Sequence, residues 1–228
     1  MNKFFDNFYN YKGFGPATHS IETSQEVLDF YHDKLPKKLL DYWLEYGFSS
    51  WGKGIFWTVN PKDYEEALAY WLRGTEFEER QLLGVDKYHV IAIGAFGRMF
   101  IWGETSGQSI KINPGYAMIL PTNKTEDLNK FCSERCIELF FATMSKDLVD
   151  EKDLDDRLLF ERALEKLGPL ENGEIYGFVP ALALGGEPKL ENLQKVKATE
   201  HLAFLADLGE KRVMADIVAL SNQLPHNQ

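Results

Sequence analysis

Cysteine is nearly absent: Cys132 and Cys136 are the only thiols in the chain. They stand four positions apart on a predicted helix, where side chains at that spacing share a face. No further Cys or His lies beside them to complete a metal site, and no disulfide is read from the pair. Both are expected to be reduced helix residues. Long hydrophobic runs are missing too. The longest apolar stretch, around residues 175–184, falls well short of the roughly 18 residues that suggest a membrane span. The opening residues carry one early lysine, and Asp6, Asn7 and Asn10 interrupt them, so no secretory signal is read. The expectation is a soluble, cytoplasmic chain with no membrane contact.

Positive charge is in short supply. Lys and Arg number 25 against 35 Asp and Glu, a formal net charge of −10. Such a surface repels phosphates, which argues against direct nucleic-acid binding, and it attracts a basic partner. Solubility alone also accounts for an acidic balance. Catalytic signatures are lacking as well. His19, His32, His89, His201 and His226 include no pair at a metal-ligand spacing. There is no nucleophile elbow, no phosphate-binding loop and no dinucleotide fingerprint; Gly94 and Gly97 have the wrong spacing for one. Glu200 and His201 form a tempting acid/base pair. Adjacent helix positions diverge by roughly a quarter turn, however, so the two are not expected to face each other. No cofactor and no metal are expected.

Apolar material is plentiful. Hydrophobic residues make up 44% of the chain and aromatics 14%, enough for a core. Thr23 with Glu26 reads as a capping box before a helix carrying Val27, Leu28, Phe30, Tyr31 and Leu35. Pro36 opens a second helix with Leu39, Leu40, Trp43 and Leu44 on its apolar face, and Gly47 stops it. Residues 54–59 read as a strand, and Asn60-Pro61 turns the chain into a third helix. Four runs, 88–94, 98–103, 109–112 and 116–120, read as an antiparallel meander, with a hairpin at Gly94-Ala95-Phe96-Gly97. Helices are expected over 125–136, 153–167 (with Leu154, Leu158, Leu164 and Leu167 aligned), near 198–208 and over 212–224. Helices around a central antiparallel sheet, with a helical C-terminal lobe, make the class α+β. The acidic run from Asp147 to Asp156 marks a boundary between 1–146 and 147–228, although the two parts can also pack as one unit.

Three features bear on binding. Trp51, in the glycine-flanked loop Ser49-Ser50-Trp51-Gly52, is expected to be the exposed tryptophan, a fit anchor for a partner, whereas the other four suit core packing. Asp150, Glu151, Asp153, Asp155 and Asp156 form one acidic cluster, and Glu76, Glu78 and Glu79 a smaller one. Each reads either as an electrostatic lure or as carboxylates gathered at the positive end of a helix dipole.

Leu167-Gly168-Pro169-Leu170, then Gly173 through Gly186 with its Tyr-Gly-Phe-Val-Pro-Ala-Leu-Ala-Leu-Gly-Gly run, then Glu200-His201-Leu202, resemble the C-terminal domain of Tdi-type immunity proteins. The first half resembles a GAD-like domain through Phe14-Gly15-Pro16-Ala17, Leu35-Pro36, Tyr42-Trp43, Tyr46-Gly47-Phe48, Gly54-Ile55-Phe56-Trp57, Val59-Asn60-Pro61 and Ala95-Phe96-Gly97. The Leu-Pro and Tyr-Gly pieces are similar at fold level to the SUKH immunity proteins. The resemblance implies a protein without catalytic activity that neutralises a cognate nuclease toxin, a DNase effector of a type VI secretion system. It transfers no contact residues. The expected toxin contacts are therefore Trp51, Glu76, Glu78, Glu79, Asp150, Glu151, Asp153, Asp155, Asp156 and Tyr176. In the signature run, Gly177, Gly185 and Gly186 are expected at positive φ and Val179 to Leu184 in the interior, with partner contact as the other reading. A SUKH-like regulatory module without a toxin partner, or a small hydrolase using Glu200 and His201, are the alternatives.

Overall fold

The computed structural model describes residues 2–216 and Leu220. A short helix α1 (Lys3–Asp6) continues through a π-helical turn to Tyr11. Then follow β1 (Thr18–Ile21), α2 (Gln25–Tyr31), α3 (Lys37–Tyr46), β2 (Phe48–Trp51), β3 (Phe56–Thr58), α4 (Glu65–Leu72) and α5 (Glu76–Leu82). The meander comes next: β4 (Tyr88–Gly94), β5 (Met99–Gly103), β6 (Gly107–Asn113) and β7 (Met118–Pro121). The chain finishes with α6 (Thr125–Thr143), α7 (Lys146–Val149), α8 (Phe160–Leu167), β8 (Glu174–Phe178), β9 (Leu193–Lys197), α9 (Ala198–Leu208) and β10 (Arg212–Val213).

Among the described residues, one sheet runs in the order β1-β2-β3-β4-β5-β6-β7-β10. Its pairings are antiparallel except β7 with β10, which is parallel. β8 and β9 form a separate antiparallel pair between α8 and α9. The class is α+β, as expected, with a helical C-terminal region.

β4 is buried along its whole length, because helices cover the sheet on both faces and leave no polar side to the strand. Neighbouring strand residues face opposite ways, so Phe56 and Trp57 divide the packing. Phe56 meets Phe8, Phe14, Phe100, Phe140 and Phe141 at ring separations of 5.9 to 6.4 Å, and Phe100 meets Phe140 at 5.6 Å. This cluster seats α1 and α6. On the other face, Trp57 lines a cavity of about 430 Å³ with Tyr64, Ile93 and Thr199.

The turn between β4 and β5 plugs the sheet into the C-terminal region. The Ala95 carbonyl accepts from Tyr176 N–H at 2.8 Å. Phe96 packs on Tyr176 and Phe178 at 5.9 and 6.4 Å. Gly97 has φ +83°, and a Cβ there would stand 3.0 Å from Ile175 and 3.1 Å from Leu202. Beside this turn, the fully buried indole of Trp71 donates to the carbonyl of Leu202 at 2.9 Å, tying α4 to α9.

Several local expectations change. Ser24, not Thr23, caps α2 by accepting from Val27 N–H; the Thr23 hydroxyl reaches the Trp43 carbonyl instead. Ser49 to Trp51 are not a loop but part of β2. α6 runs on to Thr143 and breaks at Cys132, whose φ is +60°. The helix expected from Asp153 starts only at Phe160, because the Asp153 carboxylate draws in the N–H groups of Asp155 and Arg157 and holds a loop in place of a first turn. Leu154 and Leu158 are accordingly exposed. Arg212 and Val213 form a strand rather than opening a helix; most of that expected helix, and His226, lie outside the described residues. In the signature run only Gly185 has positive φ, while Val179 and Leu184 are exposed. Gly177 serves close approach, since a Cβ there would come 2.8 Å from the His201 ring.

Gly47 ends α3 at φ +69°, and a Cβ would collide with the Ile21 carbonyl. Gly47→Ala combines a left-handed backbone with a clash that no side chain can relieve. It is expected to cost about 2 kcal/mol or more, measured by urea denaturation against the unaltered chain.

Candidate partner-docking surface

Half of the contact candidates lie inside the molecule. Trp51 is 1% exposed; its indole donates to the Thr58 hydroxyl at 3.2 Å and its edges meet Phe5 and Phe8. The glycines beside it turn the backbone while the ring faces the core. Tyr176 is fully buried, its hydroxyl donating to the Gly168 carbonyl at 2.7 Å. Burial, with Glu174 nearby, pushes this phenol up to about 12.

Three members of the large acidic cluster are buried as well. Asp150 accepts from the backbone N–H groups of Glu151, Leu159 and Phe160, so it secures the start of α8. Burial raises its pKa, against the pull of those three donors. Glu151 takes Arg98 at 2.9 Å and Asn113 at 3.2 Å, and Arg98 also donates to the Leu148 carbonyl. Asp153 pairs with Arg162 at 2.6 Å and Arg157 at 3.0 Å. Burial opposes its ionisation, but the donors from Arg162, Arg157 and Asp155 outweigh that and hold the carboxyl below the usual range. These three carboxylates staple a loop. A contiguous acidic lure over 150–156 is therefore not present; of the acids there, Asp155 and Asp156 are the exposed ones. Glu76 and Glu79 are exposed, while Glu78 is half-buried and accepts from Gly74 N–H.

The structure gathers another acidic surface that the sequence reading missed. A groove of about 470 Å³ lies between α4 and α9. Asp63, Glu66, Ala67 and Tyr70 line one wall, and Glu200, Ala203, Phe204 and Asp207 the other. Phe204 is 52% exposed, and the Tyr70 hydroxyl donates to Glu66. The cavity under Trp57 shares Asp63 and Thr199 with this groove and adds Glu22 and Glu174. Burial raises the Asp63 pKa. Each wall follows the spacing i, i+3, i+4, i+7, one stripe of a helix. That signal is legible in the sequence as a polar stripe, which a search for apolar periodicity passes over. Glu200 belongs to the groove and pairs with Lys197 at 3.4 Å, whereas the His201 ring sits on Gly177. The two therefore diverge, as adjacent helix positions should. Among the described residues no cluster of three or more His, Cys, Asp or Glu is placed to hold a metal ion, and no helix is long and apolar enough to cross a membrane.

Residues 3–115 match the GAD-like domain. Residues 135–209 match the C-terminal part of the T6SS immunity protein Tdi1. The chain is a GAD-like domain joined to a Tdi1-type immunity domain. The crystal structure of Atu4351 from Agrobacterium tumefaciens is similar at 23% identity and a TM-score of 0.79, over 92% of this chain and 91% of that one, and it shares the fold. No curated protein sequence matches the chain. The α4/α9 groove has one wall in each matched region.

The buried carboxylates of the Tdi1-type region make a pH prediction. The Asp153 carboxyl is held below its unfolded value, near 4. Its contribution to stability is thus complete above that value and is lost as pH falls through the folded one. Asp153→Asn is expected to be less stable at neutral pH and to lose stability less steeply on acidification below pH about 4. Urea midpoints across pH check both.

Proposed function

We propose that this chain is a cytoplasmic, non-catalytic immunity protein that binds a cognate DNase effector of a type VI secretion system and keeps it from DNA. The match of residues 135–209 to the Tdi1 immunity family carries the reading. That family implies a protein toxin as partner, and the proposal needs no cofactor. The divide between 1–146 and 147–228 belongs to the same reading.

The charge pattern supports a DNase in particular. An enzyme that holds the DNA backbone needs a basic groove, and a negative counter-surface speeds encounter with it. The α4/α9 groove supplies the carboxylates of Asp63, Glu66, Glu200 and Asp207, with Tyr70 and Phe204 beside them. In this reading the carboxylates steer association, and the aromatic residues, desolvated on docking, slow release. Glu76, Glu78, Glu79, Asp155 and Asp156 remain contact candidates at the periphery. A stable complex would cover about 800 Å² on each partner, more than the groove alone.

The direct test is co-expression with any nuclease encoded beside it, then a DNA-cleavage assay with the purified pair. Growth rescue and stoichiometric loss of cleavage are expected. A nuclease left fully active by excess protein sinks the proposal. The surface has its own test. Asp63→Asn, Glu66→Gln, Glu200→Gln and Asp207→Asn together are expected to slow association about tenfold at low salt and flatten its salt dependence, measured by stopped-flow. Glu76→Gln with Glu79→Gln should have a smaller effect.

A further inference from the structure

On the opposite side of the sheet from that groove lies a second cavity, of about 320 Å³. It sits in the elbow of the broken helix α6. The arm before Cys132 contributes Asp127 and Leu128; the arm after it contributes Cys136, Leu139, Phe140 and Thr143. Phe100 and Lys111, paired across β5 and β6, form the floor. The Phe100 ring is 5.9 Å from Phe56 and 5.6 Å from Phe140, which places the cavity on the aromatic face of the sheet.

Lys111 is the anomaly. It is half-buried on a strand otherwise dominated by buried residues, yet its ammonium has neither an ion pair nor a hydrogen bond among the described residues. Its neighbours make matters worse: burial lowers its pKa, and Arg98 and Lys124 add positive charge. The one acid in the lining, Asp127, is already engaged by Lys124 at 2.9 Å. A partly desolvated cation without a counter-ion is costly. Leu128, Leu139, Phe140, Met144 and Leu148 give the lining an apolar side, while Gln108, Thr122, Lys124 and Thr143 are its other polar members. The volume falls at the small end of ligand pockets.

We propose that this cavity binds a small anionic amphiphile, an aliphatic carboxylate whose head pairs with the Lys111 ammonium and whose chain lies against the apolar lining. The carboxylate supplies the counter-charge that the protein withholds, as a charge-assisted hydrogen bond. The chain displaces water from apolar surface. Neither half of the ligand suffices: a head alone gains little at a half-buried site, and a tail alone leaves the cation unpaired.

The probe is octanoate, titrated by calorimetry into the intact 228-residue chain, with acetate, octanol and octylamine as controls. Saturable octanoate binding is expected, with acetate, octanol and octylamine each at least about tenfold weaker. Lys111→Met, checked for folding by circular dichroism, is expected to weaken octanoate at least about tenfold. Leu139→Trp, which fills the cavity and keeps the lysine, is expected to abolish binding. It serves alone if the lysine variant fails to fold. No binding of octanoate to the unaltered chain overturns the proposal. So does equal binding of acetate, octanol or octylamine, or undiminished octanoate binding by either folded variant.

Discussion

A hairpin turn of four residues, Gly94 to Gly97, holds the sheet and the C-terminal region in one register. It works through three contacts at once. The Ala95 carbonyl extends the hydrogen bonding to Tyr176, Phe96 fills the space beside Tyr176 and Phe178, and Gly97 leaves room for Ile175 and Leu202. Because Leu202 belongs to α9, the turn also sets where that helix lies, and the Trp71 indole fixes the same stretch from the other side. The spacing between α4 and α9 follows from these contacts, and so does the groove between them. A loop tip that usually varies freely is here a buried joint.

The acidic loop before α8 shows why negative residues in sequence are a poor guide to a negative surface. Asp150, Glu151 and Asp153 each find donors, from backbone N–H groups or from Arg98, Arg157 and Arg162. A carboxylate can be interior when its lone pairs are met. The surface that is negative draws its charge from two helices far apart in the chain. Counting acids locally finds the first group, and only the fold brings together the second.

The same contrast runs through what was readable beforehand. The meander from Tyr88 to Pro121, the Asn60-Pro61 helix entry, the Gly47 stop and α9 were all legible, since each rests on short-range periodicity or on backbone chemistry of one or two residues. Trp51 was misplaced because glycines on both sides resemble an exposed loop, while its burial depends on Phe5 and Phe8 arriving from the N-terminus. The late start of α8 was missed because helical spacing over 154–167 competes with the pull of one side chain, Asp153, on nearby N–H groups. Of the ten expected contacts, exposure separates Glu76, Glu79, Asp155 and Asp156 from the buried ones, a distinction set by tertiary packing.

The strand beside β7 at the sheet's flank comes from beyond the C-terminal helices. β10 lies beside β7 through Arg212 and Val213, after the whole C-terminal region has intervened. Until those residues emerge from the ribosome, Met118 to Pro121 present an unpaired sheet edge, the kind of edge that invites pairing with other chains. A chain cut before residue 212 therefore leaves that flank of the sheet open to a strand from another molecule.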